Sequence, residues 1–216
     1  MTGIRTDGLH KRFGSVEAVR SLDLIVESGE VFGFLWPNGA GKSTVINMLL
    51  SFIAPTDGRA TVLGHDIENE SVAIRRRTGV LPENVSPYER LTGREHVASA
   101  IRFKDVDEDP ETLLARVGLA ESAWGRKAGG YSTDMAQRLA LATALAGEPA
   151  LLILDEPQNG LDPNGIQRMR ELIDEAVTYG STVFFSSHIL SEVEAVSDRI
   201  GIMHGVEFVA STPWMR

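Results

Sequence analysis

The sequence predicts an α/β fold with a mostly parallel sheet, an antiparallel β edge and a small helical insert. Three patterns point there. Strand-like apolar runs alternate with helix-like segments along most of the chain, as parallel strands joined by crossover helices do. Leu22, Leu24 and Val26 recur at every second position, with Ser21, Asp23 and Glu27 polar beside them, the period of a half-buried antiparallel strand. Between Leu91 and Leu119 the strand–helix alternation stops and two helical patterns follow one another.

The elements follow in order. Residues 30–35 (EVFGFL) read as a buried strand, and a Gly-rich turn leads into a helix over 42–51. A strand over 59–63 ends at the turn residue Gly64, and another covers 79–82. Helices are predicted over 94–103 and 110–117, with Pro110 as first helical residue behind Asp109 as cap. A Gly-rich, charged loop covers 121–130. From Met135 the alternation resumes: a helix to about Ala146, a strand over 151–154, a helix over 163–179 and a strand over 182–186. A short helix near Ser191 and strands over 200–203 and 207–210 follow. The reading is one domain, 1–216, with a helical insert at about 84–135.

Composition narrows the function. The 216 residues are 43% hydrophobic, an ordinary globular level, so disorder is not the expectation. No apolar run is long enough to span a bilayer, and the N-terminal MTGIRTDGLHKRFG lacks a signal-type apolar stretch, so a cytosolic location is expected. The absence of cysteine excludes disulfides, thiolate metal sites and cysteine nucleophiles. A net charge of −9 argues against a nucleic-acid partner held by bulk charge. Only four lysines occur, Lys11, Lys42, Lys104 and Lys127.

One of the four stands in the segment WPNGAGKST, 36–44, which follows a buried strand and opens a helix. This is the context of a phosphate-binding loop. Gly39 and Gly41 let the backbone after Pro37 fold into a nest of N–H groups through Asn38 and Ala40, and the helix N-terminus at Lys42, Ser43 and Thr44 adds positive field. Lys42 would reach the β- and γ-phosphates of a nucleoside triphosphate, and the Ser43 hydroxyl would ligate Mg²⁺. The fold class is then a P-loop NTPase core. Trp36 departs from the pattern, which has glycine there; an indole is costly if the backbone needs positive φ or close packing.

The apolar strand LLILDEP (151–157) ends in two carboxylates at the place where such a sheet delivers them to phosphate. Asp155 would hold Mg²⁺ and Glu156 would act as general base on the attacking water. His188 follows the strand TVFFSS, at the end where ligands bind in such sheets, and would contact the γ-phosphate. YSTDMAQRLALATAL (131–145) opens a helix with Ser-Thr-Asp, by itself a simple N-cap.

Together and in this order, these segments resemble an ABC-transporter nucleotide-binding domain over nearly the whole chain. The resemblance identifies PNGAGKST as Walker A, YSTDMAQRLALATAL as the signature segment, LLILDEP as Walker B, NGLDP as the D-loop and SSHIL as the switch histidine. LPEN and SPYERLTGREH (81–96) resemble the drug- and sodium-exporter branch, whose membrane subunit is usually a separate chain. The resemblance implies an ATPase using ATP and Mg²⁺. It implies that Phe13 stacks on adenine, that Glu83 takes the Q-loop place beside the metal, and that Asp162 in the D-loop contacts an opposite protomer. Two such domains, identical or not, would close head to tail on ATP. Ser132 of one would then face the nucleotide of the other. An integral membrane subunit would ride on the helical insert, placing the protein at the cytoplasmic face of the membrane.

Further departures accompany Trp36. The signature usually has two glycines after the serine, and here Thr133 and Asp134 stand there. Asp134 is expected to cap the helix N-terminus itself and to bring negative charge towards phosphate, at a cost on the order of 1 to several kcal/mol. Gln158 replaces a Thr or Ser, and Val206 a turn glycine. Two readings therefore stand side by side: a working transport ATPase, or a degenerate module that binds ATP but turns it over poorly because of Trp36 and Asp134. The branch often continues past STPWMR into a C-terminal extension.

Overall fold

The computed structural model describes residues 1–36, 41–204 and 207–214. Pro37, Asn38, Gly39 and Ala40 of the phosphate loop, and Val206, lie outside the described residues. The chain begins with β1 (Thr2–Phe13), β2 (Val16–Leu22), β3 (Ile25–Glu27) and β4 (Val31–Leu35), then α1 (Lys42–Leu49). Next come β5 (Asp57–Val62), β6 (His65–Asp66), α2 (Ser71–Arg77) and β7 (Thr78–Leu81). The helices α3 (Gly93–Lys104), α4 (Pro110–Arg116), α5 (Glu121–Trp124) and α6 (Thr133–Leu145) follow without an intervening strand. The order then runs β8 (Leu151–Asp155), α7 (Pro163–Thr178), β9 (Thr182–Ser187), α8 (Leu190–Glu194), β10 (Arg199–His204) and β11 (Glu207–Pro213).

Two sheets result. One is antiparallel, in the order β2-β1-β5-β6 with β3 also on β1. The other has six strands in the order β11-β10-β4-β9-β8-β7, parallel except where β11 turns back on β10. The central strands β4, β8 and β9 are buried almost throughout, which is why they read as unbroken apolar runs. One apolar cluster joins α3, α4 and α6 to one side of the parallel sheet, through Leu113, Leu114, Leu139, Leu152, Leu154 and Phe185. The other joins the antiparallel sheet and α1 to its opposite side, through Ile4, Leu9, Val26, Phe34, Met48 and Phe184.

Local signals terminate the helices as expected. Asp109 caps α4 by accepting from the N–H groups of Glu111 and Thr112, with Pro110 first in the helix. Thr92 and Glu95 form a reciprocal capping box on α3. Several elements were not legible: β1, β2 and β6 are not predicted as strands, the alternation at Leu22, Leu24 and Val26 spans the end of β2 and β3, and two helical stretches are missing from the prediction. Helix α2 (SVAIRRR) buries only Ile74, so no apolar period reveals it. The segment read as a loop over 121–130 contains α5 and a 3₁₀ turn (Ala128–Gly130). These short pieces are held from outside: Trp124 Nε1 donates to Leu119 O at 2.8 Å and Tyr131 Oη to Ala123 O at 2.7 Å.

Trp36 sits differently from the sequence expectation. It does not adopt a positive φ. Its side chain is 1% exposed and packs edge-on against Phe34, ring centroids 4.9 Å apart. The indole belongs to the apolar core, and among the described residues its buried Nε1–H has no acceptor. Replacing it by the family's glycine is therefore expected to destabilise the protein by about 3–5 kcal/mol. At about 2–4 °C of Tm per kcal/mol for a chain of this size, thermal melting of Trp36→Gly reads the effect directly. An unchanged Tm would contradict the packing.

Candidate functional site: a lysine held by three carboxylates

Strands β4, β9 and β8 lie side by side and parallel, so their carboxyl ends open on one edge. Leu35 pairs with Ser187, and Asp155 with Ser186. Beyond β4 the chain enters α1 at Gly41, whose φ is +83°. A Cβ there would lie 2.0 Å from the carbonyl oxygen of Ala18 in β2, so both backbone angle and space require glycine. This close approach also brings the β1–β2 hairpin, with Phe13 at its turn, beside the start of α1.

Lys42, first residue of α1, reaches across to the end of β8. Its Nζ lies 2.9 Å from Asp155 Oδ1, 2.9 Å from Glu156 Oε1 and 3.3 Å from Glu83 Oε2. Burial opposes the lysine charge, but the hydrogen bonds to Glu156 and Asp155 outweigh it and raise the Lys42 pKa. Burial likewise pushes Glu156 up. The hydrogen bonds from Lys42 and His188 prevail and hold Glu156 below the usual carboxylate value.

Glu156 is the most constrained member. Its φ of +50° is unusual for a residue with a Cβ, and its side chain is 2% exposed. Oε1 accepts from Lys42, from His188 Nδ1 at 3.0 Å and from the His188 backbone N–H at 3.1 Å. A carboxylate only accepts, so the His188 proton sits on Nδ1 and leaves Nε2 as the outward nitrogen of a partly exposed ring. The adjacent serines of β9 serve the two carboxylates separately: Ser186 Oγ donates to Asp155 Oδ1 at 2.6 Å, and Ser187 Oγ lies 3.2 Å from Glu156 Oε2.

The structure thus brings Lys42, Glu83, Asp155, Glu156 and His188 together. Ser43 and Thr44 follow in the first turn of α1, with Ser43 exposed. Phe13 is half exposed at the hairpin, with Lys11 Nζ 5.0 Å from its ring centre, so its face is not consumed by the core. Ser132 shares no hydrogen bond or ion pair with this cluster. It caps α6, accepting from Met135 N–H, and lines a groove of about 440 Å³ together with Glu83, Tyr131, Gln137 and Gly160. The acidic, all-oxygen donor set of Asp155, Glu83 and Ser43 suits a hard divalent cation such as Mg²⁺. Among the described residues no acidic or histidine trio forms a ready metal cage, because Lys42 Nζ stands between the carboxylates.

Asp134 also differs from expectation. Ser132, not Asp134, caps the helix. The Asp134 carboxylate pairs with Arg138 one turn on, Nε to Oδ2 at 2.8 Å, while its Oδ1 is buried without a partner. Arg138 also reaches Asp162 Oδ1 at 3.1 Å and the Val117 carbonyl at 3.3 Å. Asp162 in turn caps α7 through Gly165 N–H. One guanidinium therefore joins the signature helix, the D-loop and the end of α4, and offsets the charge of Asp134. The i,i+4 spacing of Asp134 and Arg138 was readable in the sequence; the third partner was not. Gln137 is a further residue the sequence did not single out: it is buried, and its Nε2 donates to Pro157 O at 3.0 Å, tying α6 to the segment after Glu156.

Comparison with known proteins agrees with this arrangement. The family profile described as "ABC transporter" matches residues 19–159. The bacitracin transport ATP-binding protein of Bacillus licheniformis is 40% identical over 99% of this chain and 70% of its own length. A daunorubicin resistance ATP-binding protein of Streptomyces coeruleorubidus is 37% identical over 97% of this chain and 67% of its own length. A solved ATP-binding subunit of an ABC transporter superposes with a TM-score of 0.90 at 28% identity, covering 97% of this chain and 89% of that one. The chain spans roughly two thirds of the length of the first curated relatives it matches. With its site geometry and these relatives taken together, the chain belongs to the ABC transporter family as an ATP-binding domain.

Proposed function

We propose that this domain hydrolyses ATP with Mg²⁺ and, by closing head to tail on a second ATP-binding domain, powers a separate integral membrane subunit at the cytoplasmic face of the membrane. The observation that carries the reading is the convergence of Lys42, Asp155, Glu156 and His188 at the carboxyl ends of three adjacent parallel strands. Lys42 lies on the carboxylates. ATP supplies the phosphates that draw it away and release Glu156 towards water. Glu156 takes the proton from the attacking water as its oxygen bonds to the γ-phosphorus. The bond to the ADP oxygen breaks, and ADP and phosphate leave. Lys42 offsets charge on the phosphates, and His188 Nε2 faces the γ-phosphate. Asp155, Ser43 and Glu83 would hold Mg²⁺, which supplies charge neutralisation at the phosphates when bound. Phe13 would stack on adenine.

The dimer reading is supported by Ser132 capping its own helix at the rim of an open groove that also holds Glu83, where a second copy or a related domain would complete each nucleotide site. Relatives named for bacitracin transport and daunorubicin resistance make export of antibiotic-type compounds the expectation for the membrane partner. No helix among the described residues is long and apolar enough to cross a membrane.

Phosphate release measured against protein concentration tests the reading. Turnover should rise more steeply than linearly, as a dimeric site requires. Because Arg138 balances Asp134, the Asp134→Gly variant should stay within about 10-fold of the natural protein, the range of a partly exposed pair. Hydrolysis by Asp134→Gly alone, with none by the natural sequence, would sink the proposal.

A further inference from the structure

Ser187 has one hydroxyl hydrogen and two carboxylates beside it. Its Oγ lies 2.6 Å from Glu192 Oε2 and 3.2 Å from Glu156 Oε2. The shorter contact has the length of a charge-assisted O–H···O⁻ bond, so the hydrogen goes to Glu192. One Oγ lone pair is occupied by the backbone N–H of Ile189 at 3.1 Å. The other faces Glu156 Oε2.

Glu192 comes from a firmly seated element. It stands in the first turn of α8, whose next residue, Val193, is fully buried against β4. Gly33 makes that approach possible: a Cβ on it would lie 2.3 Å from Val193 Cγ1 and 2.2 Å from Ser197 Oγ. The Ser187 rotor is therefore held from α8, while Glu156 Oε1 is held by Lys42 and His188. The two oxygens of Glu156 are thereby differentiated. Oε1 is saturated with donors, and Oε2 meets an acceptor.

We propose that Glu192 is a positioning residue for hydrolysis, acting through Ser187 on Glu156. By claiming the Ser187 hydrogen, Glu192 denies it to Glu156. Oε2 then lacks a competing donor, and the proton it takes from water finds the Ser187 lone pair as its partner. The inference rests on Glu156 being the general base.

Steady-state kcat and KM for ATP, with thermal melting of each variant, test it on the full chain. Glu192→Leu should lower kcat by about 10-fold or more with KM for ATP within about 2-fold, the pattern of a loss felt only in the transition state. Glu192→Gln, whose amide oxygen can still accept from Ser187, should stay within about 3-fold of the natural protein. Ser187→Ala should resemble Glu192→Leu, and the double variant should be no slower than the slower single variant, because both act along one path. Unchanged kcat in Glu192→Leu, multiplied losses in the double variant, or a Glu192→Gln as slow as Glu192→Leu would each overturn the proposal. If Glu192→Leu melts too early to assay, the Glu192→Gln and Ser187→Ala pair decides: the first near-normal and the second slow supports it, and any other result overturns it. A Glu156→Gln control that still turns over normally would instead remove the reading of Glu156 as base.

Discussion

Glu156→Gln is expected to lower ATP turnover by about 10²–10⁴-fold, the range lost with a general base, while nucleotide binding persists. The amide has nearly the same shape but cannot take a proton from water. The surroundings make the loss specific. Glu156 is buried at the end of β8 in a left-handed backbone conformation, and its Oε1 collects three donors, so the carboxylate is built into the strand end. Neighbouring carboxylates are poor substitutes: Asp155 is tied to Ser186 and Lys42, and Glu83 lies on a loop and is partly exposed. Phosphate release under saturating ATP, beside a nucleotide-binding titration, gives the answer. Retention of more than about a tenth of turnover would mean that another group accepts the proton.

Lys42→Ala is expected to have the second large effect, on stability as well as on binding. The ammonium is the shared cation of Glu83, Asp155 and Glu156. Its removal leaves two buried carboxylates side by side without compensation, a cost of about 3–5 kcal/mol. For a chain of this size that lowers Tm on the order of 10 °C. Loss of a charged donor to phosphate should also weaken ATP binding by about 10–100-fold.

The pH dependence of that stability gap has a definite sign. Glu156 is held below its ordinary value, so its contribution is present above the ordinary carboxylate range and disappears as pH falls through the lowered value. Lys42 is raised, so its contribution is present below the ordinary lysine value and disappears as pH rises through the raised one. The difference in Tm between the natural protein and Lys42→Ala should be widest between these limits and shrink in acid. A gap that widened as pH fell would contradict the ion-pair account.

Much of this site was legible before any coordinates. WPNGAGKST, LLILDEP and the histidine after TVFFSS each declare themselves by an apolar strand followed at once by polar residues, because a buried parallel strand must end where water or ligand begins. The cap at Asp109 was equally local, and those at Thr92 and Asp162, though not singled out, are of the same kind: a side-chain oxygen meets N–H groups two or three residues on. Helix α2 was not legible, because one buried isoleucine makes no period.

The sequence by itself determined the strand–helix order of the parallel core, the order of the phosphate-site motifs and hence the family, since all of these are written in neighbouring residues. Tertiary structure decided what the unusual residues do. Trp36 lies in the core, because it follows β4 two residues after Phe34 and its side chain packs on that ring. Asp134 is matched by Arg138, whose other partners lie 21 and 24 residues away in the chain. Glu192 reaches Ser187, and Ser187 lies beside Glu156, because Gly33 lets α8 close on β4 and β8 and β9 are in register. Charges and hydroxyls act over a few ångströms of space, and that distance is set by strand pairing and helix packing between segments that the chain itself keeps far apart.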